Sequence, residues 1–414
     1  MSAHDAVQLL ADRDEIHDIV MRYAAGVDRR DMKLVGSCFA PDLEVVGWGG
    51  GFTDRDSMLT YISGVAIFHT TMHMFGNQYI EVDGDTAHVD TYAMLTHHSD
   101  DANGVTHELN VSRGRYVEDL TRRDGRWVIT RRGGDPVWAP TGVTKATTDV
   151  PATQWLLDRA EIHDLMMQYA LGVDLRDYDR IRNCFASSFR ASYGSREFTD
   201  ADELIEFISG VEHFPSTTHF LGTQLVDVDG DDAWMQTYSL ITHRPNEDDP
   251  SADWVAAGQY VDRLLREHGR WRIAERGSSA RSTRPEPPVA PTTDDPRVQQ
   301  LLDRGAIHDV IVSSALAMDR ENGRTRHFLN NELVAIEGDE ATAETYMYVT
   351  EQQDDGRPSP WSKGARRWLD RFRRVDRRWV LEERQELSNR VAEELLITAD
   401  EAATRAGSRR SRDG

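Results

Sequence analysis

Two histidines and an aspartate recur at fixed spacing along the first two thirds of this chain, and their types suit proton transfer. Asp28 precedes His73 by forty-five residues, and Asp174 precedes His219 by the same interval. A second histidine, His97 or His243, follows twenty-four residues later. A tyrosine stands five residues before each aspartate, Tyr23 and Tyr169. A buried carboxylate beside an imidazole holds its tautomer and stabilises its charged form, so the imidazole can take a proton from substrate. A second histidine across a cavity could protonate a leaving hydroxyl, and a tyrosine could bind or polarise an oxygen. Polar residues repeated in this way also suit a hydrogen-bonded part of a fold, and spacing alone leaves both readings open.

Other histidines and the tryptophans read differently. His69, His73, His97 and His98 could be metal ligands, but Pro215 and Arg244 replace His69 and His98 in the second set. The ligand set does not repeat, so no metal is expected. His17, His163 and His308 sit beside an apolar stripe and read as structural, and Trp127, Trp271 and Trp379 read as sheet core.

These residues lie in an internal repeat. Asp12-Arg-Asp-Glu-Ile-His-Asp18, Asp158-Arg-Ala-Glu-Ile-His-Asp164 and Asp303-Arg-Gly-Ala-Ile-His-Asp309 open three copies. Thr71-Met-His73, Thr217-Thr-His219 and Thr325-Arg-His327 follow in the same order, as do Val82-Asp-Gly-Asp85, Val228-Asp-Gly-Asp231 and Ile336-Glu-Gly-Asp339. The expected domains are 1–140, 151–280 and a truncated 297–392, with linkers at 135–152 and 278–296 and a charged tail over 393–414. In the third copy only eight residues separate Asp319 from His327, so helices two and three are missing there.

Within a copy, Ile16, Ile19, Val20, Tyr23 and Val27 recur at helical spacing. Leu34, Val35, Cys38 and Phe39 suggest a second short helix, and Asp54 to Val65 a third, capped by Thr53 or Asp54. Strands are expected near 78–82, 86–97, 108–120 and 127–132, with Asp83-Gly84 as a tight hairpin turn. The pattern implies an α+β unit: helices on one face of a curved antiparallel sheet, enclosing a cone with an apolar interior.

Composition bounds the rest. The chain has 414 residues, is 39% hydrophobic and carries a formal net charge of -23, which argues against nucleic acid as a partner. No apolar run reaches the length of a membrane span, and the N-terminus has no signal-peptide core. Cys38 and Cys184 occupy the same position in two copies, so no disulfide is expected and a reducing cytoplasm is the simple compartment.

These motifs together resemble the SnoaL-like branch of the NTF2-like superfamily, the group holding scytalone dehydratase, bile-acid dehydratase and hexachlorocyclohexane dehydrochlorinase. The resemblance covers nearly all of copies one and two and what remains of copy three. It implies an NTF2-like cone in three tandem copies and a catalytic dyad at Asp28–His73 and Asp174–His219. It places second histidines at His97 and His243, and substrate-facing tyrosines at Tyr23, Tyr169 and Tyr193. Copy one has Gly47 at the Tyr193 position, with Trp48 beside it as a substrate-binding candidate. Copy three has Ser314 for the tyrosine and Glu351 for the second histidine, and is expected to be inactive. Homotrimers are usual in this group, so an intrachain pseudo-trimer or a homo-oligomer is implied.

The expected activity is a cofactor-free, dehydratase-like lyase, or an isomerase, acting on a small cyclic polyketide- or steroid-like substrate. The rival is a non-catalytic small-molecule-binding or assembly protein of the same fold. A ring-hydroxylating oxygenase subunit is a third reading, made weaker by the tandem copies.

Overall fold

The computed structural model describes residues 3–47, 51–100, 106–133, 148–246, 254–277, 291, 293–322, 325–352 and 358–388. Trp48, the tail from residue 393 and most of both expected linkers lie outside the described residues.

The first repeat opens with α1 (Ala3–Asp28), then α2 (Met32–Ser37), β1 (Phe39–Val46) and α3 (Arg55–Ile62). Its other strands are β2 (Thr70–Asp83), β3 (Thr86–Asp100), β4 (Thr106–Arg123) and β5 (Arg126–Gly133). The second repeat follows the same order: α4 (Pro151–Leu175), α5 (Tyr178–Arg182), β6 (Phe185–Tyr193), β7 (Arg196–Phe198), α6 (Ala201–Ile208), β8 (Ser216–Asp229), β9 (Asp232–Arg244), β10 (Trp254–Glu267) and β11 (Arg270–Gly277). The third repeat has α7 (Pro296–Asn322), β12 (Thr325–Glu337), β13 (Glu340–Gln352), β14 (Pro358–Val375) and β15 (Arg378–Ser388). Two residues join α7 to β12, where repeat one carries two further α-helices and the strand β1, and repeat two carries two further α-helices and the strands β6 and β7.

Short acidic caps set the small helices. Asp31 Oδ1 accepts Leu34 N at 2.8 Å, and Asp54 Oδ1 accepts Ser57 N at 2.8 Å, so Asp54 rather than Thr53 starts α3. The β2–β3 hairpin turns on Gly84 and Asp85, one residue later than the expected Asp83-Gly84, with Gly84 at φ +58°.

The α+β class is as expected, but the first two sheets are mixed and only the third is wholly antiparallel. In the first sheet, ordered β1-β5-β4-β3-β2, β1 runs parallel to β5 while the other pairs are antiparallel. Phe39 opens that strand instead of closing a helix. The second helix stops at Ser37, where Cys38 N bonds Val35 O, and the chain then alternates buried Leu43 and Val45 with exposed Asp42 and Glu44. The long first helix and the tryptophan of the last strand anchor each sheet. Trp127 Nε1 donates to Asp12, Trp271 Nε1 to Asp158 and Trp379 Nε1 to Asp303.

The three repeats close into a ring. Arg13 pairs with Asp164 at 2.7 Å, Arg159 with Asp309 at 2.7 Å, and Arg304 with Asp18 at 2.6 Å. The Asp-Arg-x-x-Ile-His-Asp motif thus builds the ring: its Asp holds the tryptophan, and its Arg crosses to the final Asp of the next copy. Met72, Met74, Phe220 and Phe328, from the edge strands β2, β8 and β12, share one apolar core where the repeats meet. The N-terminal ends of α1, α4 and α7 pack through Val7, Ala152, Val298 and Leu302. Among the described residues, no helix is long and apolar enough to cross a membrane.

Candidate active sites of repeats one and two

The last residue or so of the long helix and the start of the first long strand place the dyads. In repeat one, His73 Nδ1 lies 2.7 Å from Asp28 Oδ1, and His73 N donates to Asp28 Oδ2 at 2.8 Å. Thr71 Oγ1 donates to Asp28 Oδ1 at 3.1 Å. Repeat two repeats this set, with His219 Nδ1 to Asp174 Oδ1 at 2.6 Å, His219 N to Oδ2 at 2.8 Å and Thr217 Oγ1 to Oδ1 at 3.2 Å. Each carboxylate therefore holds both the ring and the backbone of its histidine. An ionised carboxylate can only accept hydrogen bonds, so in the neutral ring Nδ1 carries the hydrogen and Nε2 keeps the lone pair.

A half-buried arginine ties the helix end to the threonine two residues before each dyad histidine. Arg30 Nη1 donates to Thr71 Oγ1 at 2.8 Å and to Asp28 O at 3.0 Å. Arg176 takes the same place, reaching Thr217 Oγ1 at 3.3 Å and Phe214 O at 2.9 Å. Both arginines have positive φ, at +63° and +59°, because the chain must reverse sharply after the helix.

His243 comes within 6.3 Å of the His219 ring, centroid to centroid, and packs against Phe214 and Trp254. Burial, assisted by His219 and Arg176, pushes its pKa down to about 4. His243 is thus neutral near pH 7 and offers an N–H hydrogen bond rather than a stored proton. His97 stands at the same register, opposite Thr71 on β2, with its ring 4.5 Å from Phe68.

The tyrosines sit deeper. Tyr23 is buried edge-on to His73, with centroids 6.2 Å apart, and bonds to Tyr116. Tyr169 Oη lies 2.9 Å from Tyr193 Oη, so the second repeat unites the two tyrosines expected there. Burial raises the pKa of Tyr23 and Tyr169, which keeps both as neutral hydroxyl donors. Gly47, at the Tyr193 position, follows β1 at φ +85° and has no side chain to offer.

Sequence reading missed a buried charge pair under each tyrosine. Arg132 pairs with Glu118, and Arg276 with Asp262, with all four side chains fully buried. Each guanidinium stacks on a site tyrosine, 3.7 Å from the Tyr23 ring centroid and 4.1 Å from that of Tyr169. The recurrence of Arg132, Arg276 and Arg384 one residue before the strand ends or inside them was the available signal.

Repeat three keeps the dyad and changes its surroundings. His327 Nδ1 lies 2.6 Å from Asp319 Oδ1 and His327 N donates to Oδ2 at 2.9 Å. Trp368 replaces the β4 and β10 tyrosines and lies 5.5 Å from the His327 ring. Arg384, paired with Asp370, turns to Ser314 at 2.8 Å. No group of three or more His, Cys, Asp or Glu side chains is arranged to hold a metal ion among the described residues.

A family model for the SnoaL-like domain matches residues 8–133, 154–277 and 295–385. The chain belongs to the SnoaL-like family. The SnoaL-like domain occurs three times in tandem, with the third copy shortened. No curated protein matches the chain. Similar solved structures each align with about one repeat. The Kfla4162 protein of Kribbella flavida is 23% identical over 30% of this chain and 90% of its own, with a TM-score of 0.28. An NTF2-like protein of Novosphingobium aromaticivorans is 26% identical over 30% and 82%, with a TM-score of 0.26. A type 2 hexachlorocyclohexane dehydrochlorinase is 22% identical over 34% and 99%, with a TM-score of 0.28.

Proposed function

We propose that repeats one and two are cofactor-independent active sites that eliminate water or a similar group from a small cyclic substrate, polyketide- or steroid-like. The observation that carries this reading is the Asp28–His73 and Asp174–His219 geometry. Each carboxylate binds Nδ1 and the histidine backbone at once, leaving Nε2 as a base of fixed orientation. Nε2 removes a proton beside a carbonyl, and the carboxylate stabilises the imidazolium that forms. That imidazolium then holds the proton the departing hydroxyl needs. His243, neutral as it stands, orients the leaving oxygen through its N–H, and His97 takes the same role in repeat one. Returning the proton to another carbon would give isomerisation from the same groups. Tyr23, Tyr169 and Tyr193 bind substrate oxygens.

Repeat three serves as a structural partner under this proposal, supported by Trp368 against His327 and by Ser314 in place of tyrosine. The cytoplasm is the proposed compartment, supported by two buried free thiols, Cys38 and Cys184, that burial pushes up to about 11 and about 12.

The test is turnover of cyclic hydroxy-ketones drawn from a thermal-shift screen. His73→Ala and His219→Ala should each remove one site's activity, and the double variant should lose all of it, by roughly 10²–10⁴-fold. A double variant as active as the parent would sink the assignment.

A further inference from the structure

Edge strands leave backbone groups without partners, and here the catalytic candidates lie on edge strands. β2 ends the first sheet and β8 the second, so His73 O and Phe75 N, and His219 O and Leu221 N, point away from their own sheets. A side chain from another repeat meets each pair. Asn77 Nδ2 donates to His219 O at 2.8 Å, and its Oδ1 accepts Leu221 N. Thr223 Oγ1 donates to His327 O at 2.6 Å and accepts Leu329 N at 2.8 Å. Asn331 Nδ2 donates to His73 O at 2.7 Å, and its Oδ1 accepts Phe75 N at 2.6 Å. The three residues stand at the irregularities of β2, β8 and β12, and they pass support around the ring in one direction.

The truncated repeat therefore reaches site one. Asn331 is fully buried and acts as one rung of a missing strand, clamping the backbone on both sides of the His73 ring. A second contact reinforces it: Glu344 of repeat three, also held by Arg367 at 2.6 Å, pairs with Arg29 next to Asp28. The position of Arg29 in repeat two is Leu175, which packs in the central apolar core instead. Repeat three thus grips both ends of the Asp28–His73 dyad, one through a strand amide pair and one through a helix-end charge.

We propose that Asn331 is the positioning residue of site one, and that the third repeat, having no complete cone of its own, serves the chain by orienting the dyad of the first. The proposal rests on reading Asp28–His73 as a site, but its test reads the dyad directly and needs no substrate. Loss of a backbone partner on either side of His73 lets the strand shift, and the imidazole then leaves the carboxylate that its position alone brings near.

The experiment uses the full chain with histidine labelled in the ring. An imidazole N–H held by a carboxylate gives a solvent-protected, low-field proton resonance, assigned to His73, His219 and His327 by single His→Gln variants. Asn331→Ala is expected to broaden or abolish the His73 resonance and to leave those of His219 and His327 in place. Asn331→Thr should restore it, because Thr223 does the same work with one hydroxyl. An unchanged His73 resonance in Asn331→Ala would overturn the proposal. Loss of all three resonances together would also overturn it, since Asn331 would then hold the ring as a whole and not one site. Should His73→Ala leave turnover unchanged in a His219→Ala background while the resonance behaves as described, the catalytic reading falls and the positioning role stands.

Discussion

Tyr92 in the first repeat donates its hydroxyl to Asp174 in the second, Oη to Oδ2 at 2.9 Å. Asp174 Oδ2 also accepts His219 N, while Oδ1 holds Thr217 and the His219 ring. The carboxylate is thus bonded from four directions and has no freedom to turn. Tyr238 faces Asp319 in the same way, from the second repeat to the third.

Tyr92→Phe should weaken this arrangement without opening a cavity. A buried hydrogen bond to a charged group contributes about 1.5–3 kcal/mol, so urea unfolding should detect a loss of that order. In a His73→Ala background, where only site two works, the same variant should lower kcat more than it raises KM. A rise in KM with kcat unchanged would place Tyr92 in substrate binding instead.

The dyads were legible because the repeat exposes them. One Asp–His spacing could be chance, whereas the same spacing in two copies with the same flanking threonine is not easily so. The third copy sharpens the point. Its Asp319 and His327 meet as closely as the others across eight residues, because the segment absent there leaves the helix end and returns to it. What the sequence hid is long-range and side-specific. Glu118 and Arg132 lie on adjacent strands, and nothing in their spacing says that both face inward under Tyr23. Asn77, Thr223 and Asn331 differ in type, so their shared task appears only once the edges of three sheets are seen together.

His243 makes stability depend on acidity in a defined window. Its pKa falls from an ordinary 6.5 to about 4 in the folded chain, chiefly through burial. Between those values the unfolded chain binds a proton that the folded chain refuses. Stability attributable to this group is therefore complete above pH 6.5 and is lost as pH falls toward 4. The ring is only partly buried, so the size of the effect is screened by water. His243→Gln should flatten the fall in melting temperature between pH 6.5 and 4, relative to the parent chain. Parallel curves for the two proteins would contradict the assignment.

The seam between repeats one and two tolerates no side chain at Gly76. A Cβ there would lie 2.5 Å from Leu221 O and 2.9 Å from the Phe220 ring. The obstacle is backbone and a buried ring, so neither moves cheaply. Gly76→Ala should cost about 1–3 kcal/mol, read by denaturant unfolding. Gly210→Ala is the control, since a Cβ there meets nothing within 4 Å. Equal stability of the two variants would show that the strands at this seam are further apart than described.

His308 gives the opposite pH dependence at another seam. Its Nε2 meets Gln224 O of repeat two at 3.1 Å, and its Nδ1 meets Glu332 at 3.2 Å. Burial disfavours its charge and Arg159 opposes it, but Glu332 and Asp309 outweigh both and lift the pKa from 6.5 to about 9. A raised folded pKa means that the folded chain holds a proton which the unfolded chain releases first. The stabilisation is complete below pH 6.5 and disappears as pH rises through 9. More than a third of the side chain is exposed, so solvent screens the pair and the contribution is modest. His308→Gln keeps a donor for Gln224 O but carries no charge. It should melt below the parent at pH 6 and converge with it at pH 10. A gap that stays constant across that range would mean that His308 acts at the seam through packing, with its proton playing no part.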